Sequence, residues 1–116
     1  MNPIRGWLEK RDARRKADLA RRQVEVEDLV ARLETLIAGF RDRLSPKSHA
    51  FIAEQPEYGE PEMAIEMLWE NIDSGALVVS AAERSELLAL TSHPGADPGE
   101  LSLGRKHLLS RDIARR

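Results

Sequence analysis

The side chains of this sequence that could do chemistry are mostly carboxylates. Glu62, Glu66, Glu70 and Asp73 recur at three- and four-residue spacing. On a helix turning about 100° per residue they share one arc of roughly 80°. Glu54, Glu57 and Glu60 precede them, in a stretch that also holds Tyr58. A line of acids on a helix is either a solvated face or an anionic surface that mimics phosphate toward a cationic partner. Carboxylates flanking an aromatic suit protein docking, because the ring can fill a pocket while the charges speed encounter. The candidate partner-binding set is therefore Glu57, Tyr58, Glu60, Glu62, Glu66, Glu70 and Asp73.

Catalytic chemistry has few candidates. His49, His93 and His107 fall in three different stretches, and none sits at the spacing of a helical metal motif. They are expected at the surface or at helix caps. Ser45, Ser80, Ser92, Ser102 and Ser110 read as cap and loop residues, and the seven glycines are too scattered for a phosphate loop. The absence of cysteine excludes disulfides, thiol chemistry and thiolate zinc sites, and it fits a reducing cytoplasm. No catalytic residue, metal ligand or cofactor site is expected, and the protein is not expected to be an enzyme.

Charge is strongly segregated under a net −2. Residues 1–24 carry +5, residues 25–104 carry −11 and residues 105–116 carry +4. An acidic body with basic ends invites either internal pairing or a basic partner. Arg11, Arg14, Arg15, Lys16, Arg21 and Arg22 could contact phosphates, but Asp12 and Asp18 interrupt the patch. With Trp7, Phe40, Phe51, Tyr58 and Trp69 as the whole aromatic set, base stacking is poorly supplied. Nucleic acid is thus an unlikely partner on sequence grounds. The charged N-terminal residues do not form a signal peptide, and no apolar run could span a bilayer, so a cytoplasmic location and no membrane partner are expected.

The elements that must position these residues read as helices throughout. Asn2-Pro3 suits a helix start, and Ile4 to Val24 is rich in helix formers with only a weak apolar stripe. Val26, Leu29, Val30, Leu33, Leu36, Ile37 and Phe40 form a stripe that faces a core. Whether the two stretches are one helix is open, since no Pro or Gly separates them. Ser45-Pro46 opens a short helix to about Gln55, which Pro56 closes. Pro61 opens the next, ended by Gly75. That helix is apolar over most of its circumference, so it is expected at the domain centre with only its acidic stripe in solvent. Ser80 and Glu83 make a capping box ahead of Leu87, Leu88 and Leu90. His93 to Gly99 is an irregular loop, followed by a short basic helix or a frayed tail. The expected fold is all-α, a small bundle of about four to six helices. It divides into a basic helical segment 1–24, a helical core 25–92, and a loop and basic tail 93–116.

From Arg43 to Leu90 the order of features resembles the MafI-type immunity proteins of bacterial polymorphic toxin systems. The residues that carry the resemblance are Leu44-Ser45, Phe51, Tyr58-Gly59-Glu60, Ala64-Ile65-Glu66-x-Leu68, Ile72, and Ser80 with Glu83. They cover a little under half the chain. The chain departs from that pattern at Pro56 and Pro61, in its long basic N-terminal stretch and in its Gly/Pro-rich loop after Leu90. The resemblance implies a cytoplasmic antidote that binds a cognate toxin domain, often a basic nuclease-type effector, and occupies a site built for phosphates. Two alternatives stand beside it. One is a small nucleic-acid-associated or regulatory protein using the basic N-terminal helix. The other is a helical adaptor that self-associates through the Val26–Phe40 stripe.

Overall fold

The structure is a computed structural model that describes the backbone of residues 3–114 and the side chains of residues 4–110. Asn2, expected to precede the first helix, lies outside the described residues, as do Arg115 and Arg116. The fold is all-α: five helices and one 3-10 turn, with no strand among the described residues. In chain order these are α1 (Pro3–Gly39), α2 (Pro46–Glu57), α3 (Pro61–Asp73), α4 (Ala81–Thr91), the 3-10 turn (Pro98–Glu100) and α5 (Ser102–Ala114).

Helix α1 resolves the open question of continuity. Its 37 residues form one uninterrupted rod, about 55 Å long at 1.5 Å per residue. Good helix formers run through the junction, and nothing there breaks the hydrogen-bond ladder. Only its second half is packed. Leu29, Leu33, Leu36, Ile37 and Phe40 are buried against the other helices, whereas residues 4–24 are exposed throughout. The first half therefore stands off the body as an arm, and the molecule measures 66 Å along its longest axis. The Val26–Phe40 stripe is internal, so it is not available for the self-association that its periodicity alone allowed.

The short helices start where their caps require. Ser45 Oγ accepts from Ser48 N at 3.1 Å, with Pro46 at the first helical position. Ser80 Oγ accepts from Glu83 N, and the Glu83 carboxylate accepts from Ser80 N at 2.8 Å, completing the capping box. Gly59 and Gly75 end α2 and α3 with φ of +77° and +81°, conformations that cost a side-chain-bearing residue energy. One boundary differs from expectation. Helix α2 runs through Pro56 to Glu57, because a proline in the last turn sacrifices one hydrogen bond while its buried ring adds to the packing.

Helix α3 is the centre of the core. Ala64, Ile65, Leu68 and Trp69 are fully buried, among Leu29, Leu33, Ile52, Leu87 and Leu90. The segment 93–116, expected as loop and tail, is part of this core up to residue 108. Ala96 and Leu101 are buried in it, and Leu103 and Leu108 pack on it.

Arg43 fastens the end of α1 to the start of α4. Its guanidinium donates two hydrogen bonds to the Glu83 carboxylate, at 2.5 and 2.7 Å, and others to the carbonyls of Gly39 and Val78. The Arg43 contact first, and the Ser80 backbone N–H second, hold the Glu83 carboxyl down at about 2 from an ordinary 4.5. A depressed carboxyl pKa stabilises the fold above the unfolded value and loses that stabilisation as pH falls through the folded one. Arg43→Gln is therefore expected to lower the melting temperature at neutral pH, with the gap to wild type narrowing between about pH 4.5 and 2. Thermal melts of both proteins across that range check it, and a gap independent of pH would contradict it.

Candidate partner-binding surface

The acidic line along α3 is where expectation and structure part. Glu62 is only 8% exposed, and its carboxylate accepts the backbone N–H of Asp97 at 2.9 Å. One turn on, Glu66 accepts from Ser102 Oγ at 3.0 Å, Leu103 N at 2.9 Å and Gly104 N at 2.8 Å. These are first-turn groups of α5, which have no partner within their own helix and carry the positive end of its dipole. A carboxylate from α3 thus caps α5 from outside. One further turn on, Trp69 lies fully buried with the His107 ring stacked on it at 3.9 Å. Asp73 completes the line by pairing with His107 Nε2 at 2.9 Å.

The expectation that the whole stripe faces solvent fails at Glu62, which is buried, and in part at Glu66, which is half-buried, while Asp73 stays exposed beside His107. The helical wheel placed them on one arc, but the C-terminal segment covers the Glu62 end of it and engages Glu66 and Asp73. Glu66 accepts the first-turn donors of α5, Asp73 pairs with its His107, and Glu62 holds the loop before it at Asp97. Of the original stripe Glu70 alone is exposed without such an engagement.

The histidines also take structural posts that spacing did not reveal. His107 Nδ1 lies 3.1 Å from Arg84 Nη2, and the Arg84 guanidinium lies 5.2 Å from the Trp69 ring centre. Because Nδ1 accepts from Arg84, Nε2 carries the proton that Asp73 receives. His93 repeats the logic: Nδ1 accepts from Gly95 N at 2.9 Å, and Nε2 donates to Asp28 at 2.8 Å. This contact foremost holds the Asp28 carboxyl below its usual range. His49 Nε2 reaches the carbonyl of Ile37 at 3.0 Å. All three rings tie one element to another. Among the described residues no group of three or more His, Cys, Asp or Glu could hold a metal ion.

What stays open is the end of the body at the α2–α3 turn. Tyr58 is 74% exposed, between the exposed Glu57 and Glu60. Phe51, Glu54 and Tyr58 follow one another at three- and four-residue spacing, so one side of α2 carries two exposed rings with an acid between. Phe51 is 55% and Met63 49% exposed. Met63 also lines a shallow depression with Glu60, Glu66 and Glu100. Partial burial first, then the charges of Glu62, Asp97 and Glu60, raise the Glu100 carboxyl above its ordinary value. The carboxylates of Glu60, Glu62, Asp97 and Glu100 thus lie near one another here. Sequence reading included Glu57, Tyr58 and Glu60 but missed Phe51, Met63 and Glu100. Met63 belongs to the apolar circumference of α3 expected to be buried, and Glu100 joins only through the fold of the 93–101 segment.

The arm is the second exposed surface of unusual character. Its ion pairs among the described residues are local, Arg5 with Glu9 and Arg21 with Asp18. Trp7 is 61% exposed, with the Arg11 guanidinium 5.3 Å from its ring centre. No family model matches this chain, and no curated protein or solved structure does either. No helix among the described residues is long and apolar enough to cross a membrane.

Proposed function

We propose that this chain is a protein-binding module of the immunity type, which captures a basic toxin domain at the α2–α3 end of its body. The observation that carries the reading is the exposed Tyr58 between Glu57 and Glu60, on a surface extended by Phe51, Met63 and Glu100. An exposed aromatic with acids around it supplies the two things such capture needs. The ring and its apolar neighbours provide desolvated contact, and the carboxylates steer a cationic partner and match its charge. The −11 balance of residues 25–104 supports the same polarity of partner. Glu70 lies on the exposed remainder of α3 and extends the anionic field. Glu62, Glu66 and Asp73 serve indirectly, by holding the segment that bears Asp97 and Glu100.

The test uses the toxin domain encoded beside the gene for this chain, co-expressed with it and then purified for kinetics. Wild type is expected to restore growth and form a stoichiometric complex. Tyr58→Ala is expected to weaken binding about 30-fold, the effect of losing roughly 2 kcal/mol at an aromatic hot spot. Glu57→Lys with Glu60→Lys should chiefly slow association, more so at low salt. Full protection by a variant combining Tyr58→Ala, Glu57→Lys and Glu60→Lys, with its circular dichroism unchanged, would sink this assignment of the surface.

A second reading is favoured by the arm itself. Eight Lys and Arg within residues 1–24, on an exposed helix, could bind nucleic-acid phosphates. Retention on duplex DNA that weakens steeply with salt and depends on Arg11, Arg14 and Arg15 would support it. Failure to bind at about 50 mM salt, where such contacts are strong, would end it.

A further inference from the structure

Only the base of the arm, from Arg15 to Arg22, comes beside the acids of its own body. Helix α1 is continuous, and the loop residue Asp97 and the turn residues Glu57 and Gly59 come up beside Arg22, Val26 and Val30 at the arm's base. Asp97 also lines a cleft with Arg15, Asp18 and Leu19, and Trp7, eight residues beyond Arg15, stands about 12 Å further toward the tip. The arm's orientation is nonetheless fixed by the core. Turning about 100° per residue, Trp7, Leu8, Arg11, Arg15, Asp18, Leu19 and Arg22 lie on the same side of α1 as Leu29, Leu33 and Phe40. That side faces the body where there is body, and is exposed where there is none.

We infer that two copies of this chain pair through their arms, each arm tip resting on the acidic end of the other body. The arms run antiparallel about a twofold axis near residues 14 and 15. In that register Trp7 of one copy sits level with Arg22 of the other, where Glu57, Gly59 and Asp97 cluster. Trp7 and Leu8 then meet the partner surface around Tyr58, and the basic arm meets the body's excess acid. The same register sets Arg11 opposite Asp18 of the other arm, twice by symmetry. Charge complementarity selects a second copy as occupant: the arm carries +5 and the body −11. The exposed Trp7 and Leu8 argue in the same direction, because phosphates would leave them in water while a protein surface would cover them. The pairing shares the α2–α3 end with toxin capture but does not depend on it, and a bound toxin would compete with the arm.

Sedimentation equilibrium of the full chain, without toxin or nucleic acid, tests the inference. At low salt and tens of micromolar the wild type should be a dimer that dissociates as salt rises. Trp7→Ala, an exposed change, should weaken dimerisation at least tenfold. Arg11→Asp alone and Asp18→Arg alone should each weaken it, and the two together in one chain should restore it, because every cross-arm pair is then reversed. Independently, Trp7→Ala should bind the toxin domain at least as well as wild type, which separates this test from that of toxin capture. A monomer at 200 micromolar in low salt (a concentration on the order of the tightest that weak interfaces need) would overturn the inference. So would a dimer indifferent to Trp7→Ala, a double variant no better than its parents, or a monomer whose arm binds duplex DNA instead.

Discussion

Glu66→Ala is expected to lower the melting temperature by roughly 10 °C and to release α5 from the body. The carboxylate of Glu66 receives three hydrogen bonds from the first turn of α5, two of them from backbone N–H groups. A helix start that loses its acceptor leaves those donors to compete for water, and the favourable charge at the dipole's positive end goes with them. Hydrogen bonds to a charged group contribute about 1.5–3 kcal/mol each, but they are not additive when they share one acceptor. A total of roughly 2–3 kcal/mol is a sober estimate, and about 4 °C per kcal/mol applies to a domain of this size. Thermal denaturation by circular dichroism reads the effect. Glu70→Ala, on the exposed side of the same helix, serves as the control and should shift the midpoint by no more than a degree or two.

Gly95→Ala is expected to cost about 2–3 kcal/mol of folding free energy, through overpacking. A Cβ at this position would lie 2.6 Å from the carbonyl oxygen of Glu25, 2.8 Å from its carbonyl carbon and 3.0 Å from the nitrogen of Val26. All three belong to the backbone of α1, which cannot rotate away as a side chain could. The loop would have to withdraw. Three contacts depend on where the loop sits: His93 with Asp28, Gly95 N with His93, and Asp97 N with Glu62. Gly39→Ala provides the contrast, because its Cβ would meet nothing within 4 Å and its φ is ordinary. Chemical denaturation should therefore show a clear loss for Gly95→Ala and near-neutrality for Gly39→Ala. A Gly95→Ala protein as stable as wild type would mean the loop does not sit against α1 as described.

Much of the fold was legible in the residues because local rules and the core agreed. Ser45-Pro46, Pro61, Ser80 with Glu83, and Gly75 mark the helix limits by chemistry that acts within a few residues. The stripe from Leu29 to Phe40 needed only its period. The all-round apolar character of α3 identified the centre of the domain. The candidate surface was harder to read because solvent is the default partner for a carboxylate in a sequence. The wheel placed Glu62, Glu66 and Asp73 on one arc correctly, yet nothing local says that α5 returns to cover them. Gly104 is equally silent in the sequence. Its place against Thr91 and Trp69 comes from a packing of three distant elements. Met63 differs for the opposite reason: an apolar residue at helical spacing points to a core, and here that core ends before it reaches Met63.

The acids from Glu57 to Asp73 thus fall into two groups with different work. Glu62, Glu66 and Asp73 hold the C-terminal segment, while Glu57, Glu60 and Glu70 remain on the surface with Tyr58. A variant that removes Glu66 would thus disturb any binding assay by unfolding the edge of the site, and only Glu57, Tyr58 and Glu60 probe contact itself.

Amide hydrogen exchange at Leu103 and Gly104 tests this division most directly. First-turn amides of a helix have no acceptor within it and normally exchange fast. The acceptors here are the two oxygens of Glu66, at 2.9 and 2.8 Å. In wild type both amides should be protected, and Glu66→Gln should selectively reduce that protection while the Leu87 and Leu90 amides in α4 stay protected. Rapid exchange of both amides in wild type, at rates of an uncapped helix end, would show that Glu66 faces solvent and would return the whole acidic stripe to the surface.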